Sequence, residues 1–265
     1  MTQAKPSITA VASGKGGVGK TWLSITLAHA LARSGHRVLL FDGDLGLANV
    51  DIQLGLMPQR DLGAVAAGRA SLADAVLRHP EGGFDIVAGQ SGSGALSTLD
   101  PATLERMLAA LLALASGYDT VVLDLGAGLD RPVRRMAAWA GTLLVVATEE
   151  PTSLTDAYAV LKLHAADLAH GGLGGGHGGA GAGAARVVVN QAATRASGER
   201  TYASLQRACE RFLGRAPGLA GVIRRDDRVR DAIRRQSLLL TRHPACPAAA
   251  DVEAIAEGLA IPHRP

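Results

Sequence analysis

Three stretches of this 265-residue sequence carry residue types at spacings that could do chemistry. The first, Gly14-Lys15-Gly16-Gly17-Val18-Gly19-Lys20-Thr21, satisfies G-x-x-x-x-G-K-[ST]. Glycines so spaced let backbone N–H groups face inward and approach phosphate closely, and a helix starting at once adds its positive end. Lys20 would reach the β- and γ-phosphates of ATP, and the Thr21 hydroxyl would bind Mg2+. The second stretch, Phe41-Asp42-Gly43-Asp44, spaces two carboxylates i, i+2 at a strand exit, so both point the same way. One such carboxylate can hold a magnesium-bound water while the other orients an attacking water. The third, Val121-Val122-Leu123-Asp124, is an apolar run ending in one acid, suited to the magnesium hydration shell. Any one of these aspartates could instead serve a turn or a cap. Beside a phosphate loop, the three together read as an ATP- and Mg2+-dependent hydrolytic site.

The elements that must position these groups alternate strand and helix. Ile8–Ala12 is a short apolar run before the glycine-rich turn. From Gly19 the period is helical, with Leu23, Leu27, Ala30 and Leu31 on one face and Gly35 as terminator. Arg37–Phe41 is the next strand and Asp42–Asn49 a polar loop. Leu62–Leu77 reads as one or two short helices, Phe84–Ala88 as a strand, and Pro101–Ser116 as a helix with proline in its first turn. Thr120–Leu123 is a buried strand running into Asp124. Pro132–Ala140, Pro151–Ala169, Glu199–Phe212, Asp226–Arg235 and Ala248–Gly258 read as helices, interleaved with strands at Thr142–Thr148, Arg186–Asn190 and Leu219–Ile223.

Repeated strand–helix units with continuous apolar strands predict an α/β fold, a P-loop NTPase with a central, mostly parallel sheet and helices on both faces. The loops after Ala12, Phe41 and Leu123 then share the carboxyl edge of the sheet, where ligands bind. The span 1–265 reads as one domain. Gly171–Ala185, nearly all Gly and Ala, buries too little side chain to offset its ordering entropy and reads as a flexible surface loop.

Apolar residues make up 48% of the chain and aromatics 3%, so the core must be built from Ala, Val, Leu and Ile. A formal charge of +3 does not by itself imply a nucleic-acid partner. Cys209 and Cys246 fit no metal or redox spacing and are expected as ordinary thiols in a reducing compartment. No stretch has signal-peptide or transmembrane character, and a cytoplasmic location is expected. The tail Asp251–Pro265 has Val252, Ile255 and Leu259 but no bulky aromatic and no basic face. It is expected to pack onto the domain rather than to reach a membrane.

Lys15 carries a more specific signal. K-G-G-V-G-K-T resembles the deviant P-loop of the MinD/ParA superfamily, where this extra lysine crosses a dimer interface to the partner's nucleotide. Asp42-Gly43-Asp44-Leu45-Gly46-Leu47-Ala48-Asn49-Val50-Asp51 resembles the switch segment of the same superfamily, and Asp124-Leu125-Gly126-Ala127-Gly128 its D-x-G-A-G segment. Glu150 to Tyr158 and Val229-Arg230-Asp231-Ala232-Ile233-Arg234-Arg235-Gln236 resemble its flagellar branch, the FlhG/FleN family. The resemblance runs from about Ile8 to Glu257.

It implies a slow ATPase that binds nucleotide through Gly14 to Trp22. Asp42, Asp124 and Thr21 would serve Mg2+, Asp44 would activate water, and Lys15 and Lys20 would act on the phosphates. Asn49 would belong to the switch. Asn190 sits where the superfamily places an asparagine against adenine, although a strand-end asparagine equally caps a turn. The implied assembly is an ATP-dependent homodimer. The implied partners are the flagellar GTPase FlhF, C-ring components or a flagellar transcription regulator. Trp22 departs from the usual Thr, Ser or Asn that helps hold the α-phosphate; it either weakens nucleotide binding or packs inside. Leu125 replaces the usual Thr or Ser near the γ-phosphate. The N-terminal D-Q-A motif of the flagellar branch is represented only by Gln3-Ala4.

Arg224, Arg225, Arg228, Arg230, Arg234 and Arg235 cluster late in the chain among Asp226, Asp227 and Asp231. They could form a solvated face with internal ion pairs, touch a protein partner, or bind DNA through its backbone. Two rival readings therefore stand beside the flagellar switch: a ParA-type DNA-partitioning ATPase, and a nucleotide-binding scaffold with little hydrolysis.

Overall fold

Side chains alternate across a strand, so a strand covered on both faces must be apolar at consecutive positions. Five strands here meet that demand, and they lie at the centre of one eight-stranded sheet. The computed structural model describes residues 5–89, 100–169 and 184–260. The sheet order is β3-β4-β2-β5-β1-β6-β7-β8. The strands are β1 Ser7–Ser13, β2 Val38–Gly43, β3 Val76–Arg78, β4 Asp85–Val87, β5 Thr120–Ala127, β6 Thr142–Ala147, β7 Ala184–Ala192 and β8 Gly218–Arg224. All neighbours pair parallel except β3 with β4.

The helices are α1 Lys20–Arg33, α2 Val50–Leu54, α3 Leu62–Ala66, α4 Pro101–Ala115, α5 Arg131–Trp139, α6 Pro151–Ala169, α7 Arg195–Leu213, α8 Asp227–Arg234, α9 Leu239–Arg242 and α10 Pro247–Glu257. Alternation divides the core into two layers. Ala10, Phe41, Leu123, Val145 and Val189 face one layer with Leu108 and Leu111 of α4, Met136 of α5, Leu161 of α6 and Leu205 of α7. Val11, Leu40, Val122, Val146 and Val188 face the other, with Leu23 and Leu27 of α1, Ala232 of α8 and Val252 of α10. The central strand β1 is flanked by β5 and β6, and the chain crosses over it between them. Its carboxyl end is therefore the topological switch point, the place where a crevice opens.

The α/β expectation holds, with local differences. The stretch Leu62–Leu77, read as one or two short helices, holds α3 and a single 3-10 turn at Ala73–Ala75, but its last residues Val76 and Leu77 belong to β3, which pairs antiparallel with β4. Strands β2 and β5 run past their apolar residues through Asp42 and Asp124, because the ladder continues there. The short helices α2 and α9 were not foreseen. Ala184 and Ala185 open β7; the rest of the glycine-rich segment lies outside the described residues, as do Gln3-Ala4 and residues 261–265. In the tail, Val252 and Ile255 are buried, and α10 is tied to α1 by Arg33–Glu253 at 3.2 Å. Cys209 and Cys246 are buried free thiols.

With few aromatics, the layers close by near approach of backbone. Gly198, inside α7, is such a point: a Cβ there would lie 2.3 Å from Val222 Cγ1 and 3.1 Å from Ala192 Cβ. Alanine in place of a helical glycine ordinarily stabilises by about 1 kcal/mol. Overpacking here opposes that gain and costs about 1–3 kcal/mol. Gly198→Ala is expected to destabilise the protein by roughly 1 kcal/mol, read as a lower urea midpoint; a raised midpoint would show that the layers can part without cost.

Candidate functional site

Alternation also decides where the acids go. Phe41 and Leu123 face the α4–α7 layer, so Asp42 and Asp124 face α1. The two are register partners across the β2–β5 ladder and are fully buried. Helix α1 meets them with polar groups one turn apart. Ser24 Oγ donates to Asp124 Oδ1 at 2.9 Å, and the Thr21 hydroxyl also bonds Asp124. Lys20 is buried on the same turn. Desolvation lowers its pKa, and the nearby carboxylates of Asp124 and Asp44 oppose that shift.

Asp42 is bound mainly by backbone. Its Oδ2 accepts from Asn49 N and Val50 N, each at 3.1 Å, and its Oδ1 from Asp44 N at 3.2 Å. Asp44 in turn accepts from Leu47 N at 2.9 Å and Gly46 N at 3.3 Å. Gly126 lets Asp44 lie close to β5, since a Cβ there would sit 3.1 Å from Asp44 Oδ1. Burial, then the neighbouring Asp124 carboxylate, pushes Asp42 up to about 8. Burial pushes Asp124 up to about 6 against the hydroxyl bonds and the Lys20 charge.

The glycine-rich turn lies beside these groups, between β1 and α1. Gly19 caps α1 in the left-handed region, φ 93°, and a Cβ there would meet Asn190 Nδ2 at 2.5 Å. At Gly14 a Cβ would lie 2.6 Å from Asp156 O of α6. Both positions therefore need glycine, whatever they bind. Lys15 extends outward: its Nζ lies 2.6 Å from Glu150 Oε2 and donates to Thr152 Oγ1 at 3.1 Å. The pair is open to solvent, at 39% and 65% side-chain exposure.

A cavity of about 300 Å3 adjoins the turn, lined by Gly19, Trp22, Asn190, Ile223, Val229 and Ile233 among others. Trp22 thus both packs in the core and walls this cavity. Asn190 does not project free into it: Nδ2 donates to Val18 O at 2.8 Å and Oδ1 accepts from Gln191 N at 2.8 Å. Leu125 is buried in the opposite layer, against Gly43 and Met136, and does not share the face of Asp124. The arginine segment is largely paired. Arg224 binds Asp251 at 2.8 Å; Arg235, Arg242 and His243 converge on Asp231 at 2.9, 2.6 and 3.0 Å. Arg225 and Arg230 lie on the cavity wall.

Ser24, Glu150 and Thr152 were not foreseen. The i, i+4 spacing of Lys20 and Ser24 could have revealed the first. No local pattern links Lys15 to a residue 135 positions away.

The residues present fit ATP and Mg2+. A left-handed glycine at a helix N-terminus, a buried lysine and a partly apolar cavity suit phosphates and base. Two buried acids with raised pKa values suit a cation. Among the described residues no group of three or more His, Cys, Asp or Glu side chains could hold a metal unaided. That accords with Mg2+, which takes one or two carboxylates and completes its shell with phosphate oxygens and water.

Comparison with known proteins gives the family. The family model for the CobQ/CobB/MinD/ParA nucleotide-binding domain matches residues 9–239. This chain belongs to that family. It is 39% identical over 250 residues to the antiactivator FleN of Pseudomonas aeruginosa, covering 94% of this chain and 85% of that protein. It is 32% identical over 155 residues to the flagellum site-determining protein YlxH of Helicobacter pylori, covering 58% of this chain and 52% of that one. The septum site-determining protein MinD of Pyrococcus horikoshii, solved with Mg-ADP, superposes with a TM-score of 0.76 at 24% identity, covering 96% of both chains. MinD/ParA proteins are ATPases. No helix among the described residues is long and apolar enough to cross a membrane.

Raised carboxyl pKa values in a MinD/ParA site tie cation binding to pH. A carboxylate held above its usual range is neutral below its folded pKa and must lose a proton to bind a cation. Mg2+ affinity in the presence of ADP is expected to strengthen from pH 6 to pH 8 and then level off. Asp42→Asn is expected to flatten that slope, measured by titrating Mg2+ at fixed ADP. The nucleotide-free fold should change oppositely, losing stability as pH rises towards 8.

Proposed function

We propose that this chain is an ATP-driven dimerisation switch of the FleN/FlhG kind, acting on flagellar number or placement. The observation that carries the reading is Lys15. A lysine of the phosphate loop that served only its own nucleotide would be expected to turn inward with Lys20. Lys15 instead reaches out to Glu150 and Thr152 in a solvent-open pair. Such pairs hold little net free energy, so Lys15 can leave for a phosphate offered by a second copy. Leu47, 70% exposed, and Leu129, 37% exposed, follow the two aspartate-bearing segments and would gain cover from that copy.

In this reading the backbone of Gly14 to Gly19 and the Lys20 ammonium bind the triphosphate, and Trp22 and Asn190 border the base. Thr21, Asp42 and Asp124 hold Mg2+, which supplies charge neutralisation between the phosphates when bound. Asp44 orients the attacking water. Hydrolysis removes the γ-phosphate that holds the partner's Lys15, and the copies separate.

The regulatory output rests on the names of the relatives, an antiactivator and a flagellum site-determining protein. A transcription regulator, C-ring components or the GTPase FlhF would be the protein partners. Direct DNA binding is the weaker reading, because Arg224, Arg228, Arg234 and Arg235, four of the six arginines, are paired with Asp251, Asp226 and Asp231. The scaffold reading has one supporting feature, the bulk of Trp22 on the cavity wall.

Turnover per chain is expected to rise with protein concentration and to fall at least ten-fold in Asp44→Ala and Lys15→Ala, while both variants still bind ATP. Flat, concentration-independent turnover, or none with tight binding, would sink the switch. In the second case a gain of turnover in Trp22→Asn would establish the impaired-site scaffold.

A further inference from the structure

The late stretch Val229-Arg230-Asp231-Ala232-Ile233-Arg234-Arg235-Gln236 enters the site as described so far only as cavity wall, yet the structure gives its last residue a specific contact. Gln236 follows α8, is exposed, and has φ 49°, a left-handed conformation uncommon outside glycine. Its Nε2 donates to Ile52 O, 184 residues away, at 2.8 Å. Its side chain lies flat against Gly55, the left-handed C-cap of α2: a Cβ on Gly55 would sit 2.9 Å from Gln236 Oε1 and 3.2 Å from its Cβ.

Helix α2 is five residues long, far below the length at which a helix holds itself together. It depends on contacts at its two ends and on the apolar seat of Val50 and Leu54. At the N-terminal end the backbone N–H groups of Asn49 and Val50 both donate to Asp42 Oδ2. At the C-terminal end the Ile52 carbonyl accepts from Gln236. The helix that Gln236 follows also presents Val229, Arg230 and Ile233 to the cavity beside the phosphate loop. One short rod therefore touches the acid beside the phosphates at one end and the base-side helix at the other.

We infer that Gln236 is a positioning residue for the magnesium site: by bolting α8 to α2 it holds the Asn49–Val50 backbone on Asp42 and links occupancy of the base cavity to the set of that carboxylate. The inference rests on the reading of Asp42 as a Mg2+ residue. It gives the exposed glutamine a task that core packing does not explain. It also makes Gly55 a partner in that task, because any side chain there displaces the amide.

The test is a pair of titrations on the full chain with a fluorescent (N-methylanthraniloyl) ADP, one in EDTA and one at fixed nucleotide with rising Mg2+. Melting temperature in EDTA serves as the control. In Gln236→Ala and Gln236→Glu, affinity in EDTA is expected to stay within about two-fold of wild type. The Mg2+ concentration at half-saturation is expected to rise roughly five-fold, the effect of one net hydrogen bond. Gly55→Ala should shift the Mg2+ midpoint in the same direction, and the double variant Gly55→Ala, Gln236→Ala by less than the product of the two. An unchanged Mg2+ midpoint in Gln236→Ala overturns the inference. So does an equal loss of affinity with and without Mg2+, which would assign Gln236 to general packing. Wild-type protein whose nucleotide binding ignores Mg2+ would overturn the reading of Asp42 and this inference with it.

Discussion

Asp42 and Asp124 lie opposite each other in the β2–β5 ladder, buried on the face of the sheet that α1 covers. Two carboxyl groups in that position are costly, because burial and mutual repulsion both oppose their charge. Much of the neighbourhood offsets this cost. Two backbone N–H groups from the start of α2 and one from Asp44 bind Asp42. Two hydroxyls from α1 bind Asp124, and Lys20 brings a positive charge. The register is essential. A one-residue slip of β2 would turn Asp42 into the α4–α7 layer and Phe41 onto the phosphate side.

The same alternation explains why the site and the core do not compete. Positions facing α4 to α7 carry no polar side chain along β2, β5 and β6, and Leu125 joins them. Val11, Leu40, Val122 and Val188 fill the face turned to α1, and at the carboxyl edge Asp42, Asp124 and Asn190 take that face. Two of the three then find partners in the segment that follows β1, Ser24 and Thr21 for Asp124 and Val18 O for Asn190, while Asp42 is met by the backbone that follows β2. One loop and one helix thus collect groups from β5 and β7.

Legibility in the sequence follows from the range over which information is stored. The phosphate loop, its helix and the acids ending β2 and β5 are local patterns, and the structure brings Lys20, Thr21, Asp42, Asp44 and Asp124 together as their spacing implies. Local patterns failed where pairing decides. Val76 and Leu77 have a helical neighbourhood, but the edge of β4 offers hydrogen bonds that a short helix could not match. Helix α2 has no propensity signal, since its two ends are set by Asp42 and Gln236. Asn190 stands between an adenine contact and a turn cap in the sequence; its amide bonds Gln191 N locally and Val18 O across 172 positions, and no strand-end pattern reports the second bond. Glu150 is a partner of Lys15 only because α6 begins beside the phosphate loop, a fact of topology.

Comparing magnitudes shows which parts of the site can move. Removing one partner from a buried charged set leaves an uncompensated charge and costs several kcal/mol, about 3–5 by experience with buried pairs. Asp42, Asp124 and Lys20 are therefore the costly part of the site to disturb. The Lys15–Glu150 pair is exposed, screened by salt and held by two flexible side chains, so exchanging it for another anion is nearly neutral. A switch of the kind proposed would need both kinds of contact within a few residues of each other. Here the division falls inside a single loop, between Lys15 and Lys20, and the glycines between them keep the two lysines in separate environments.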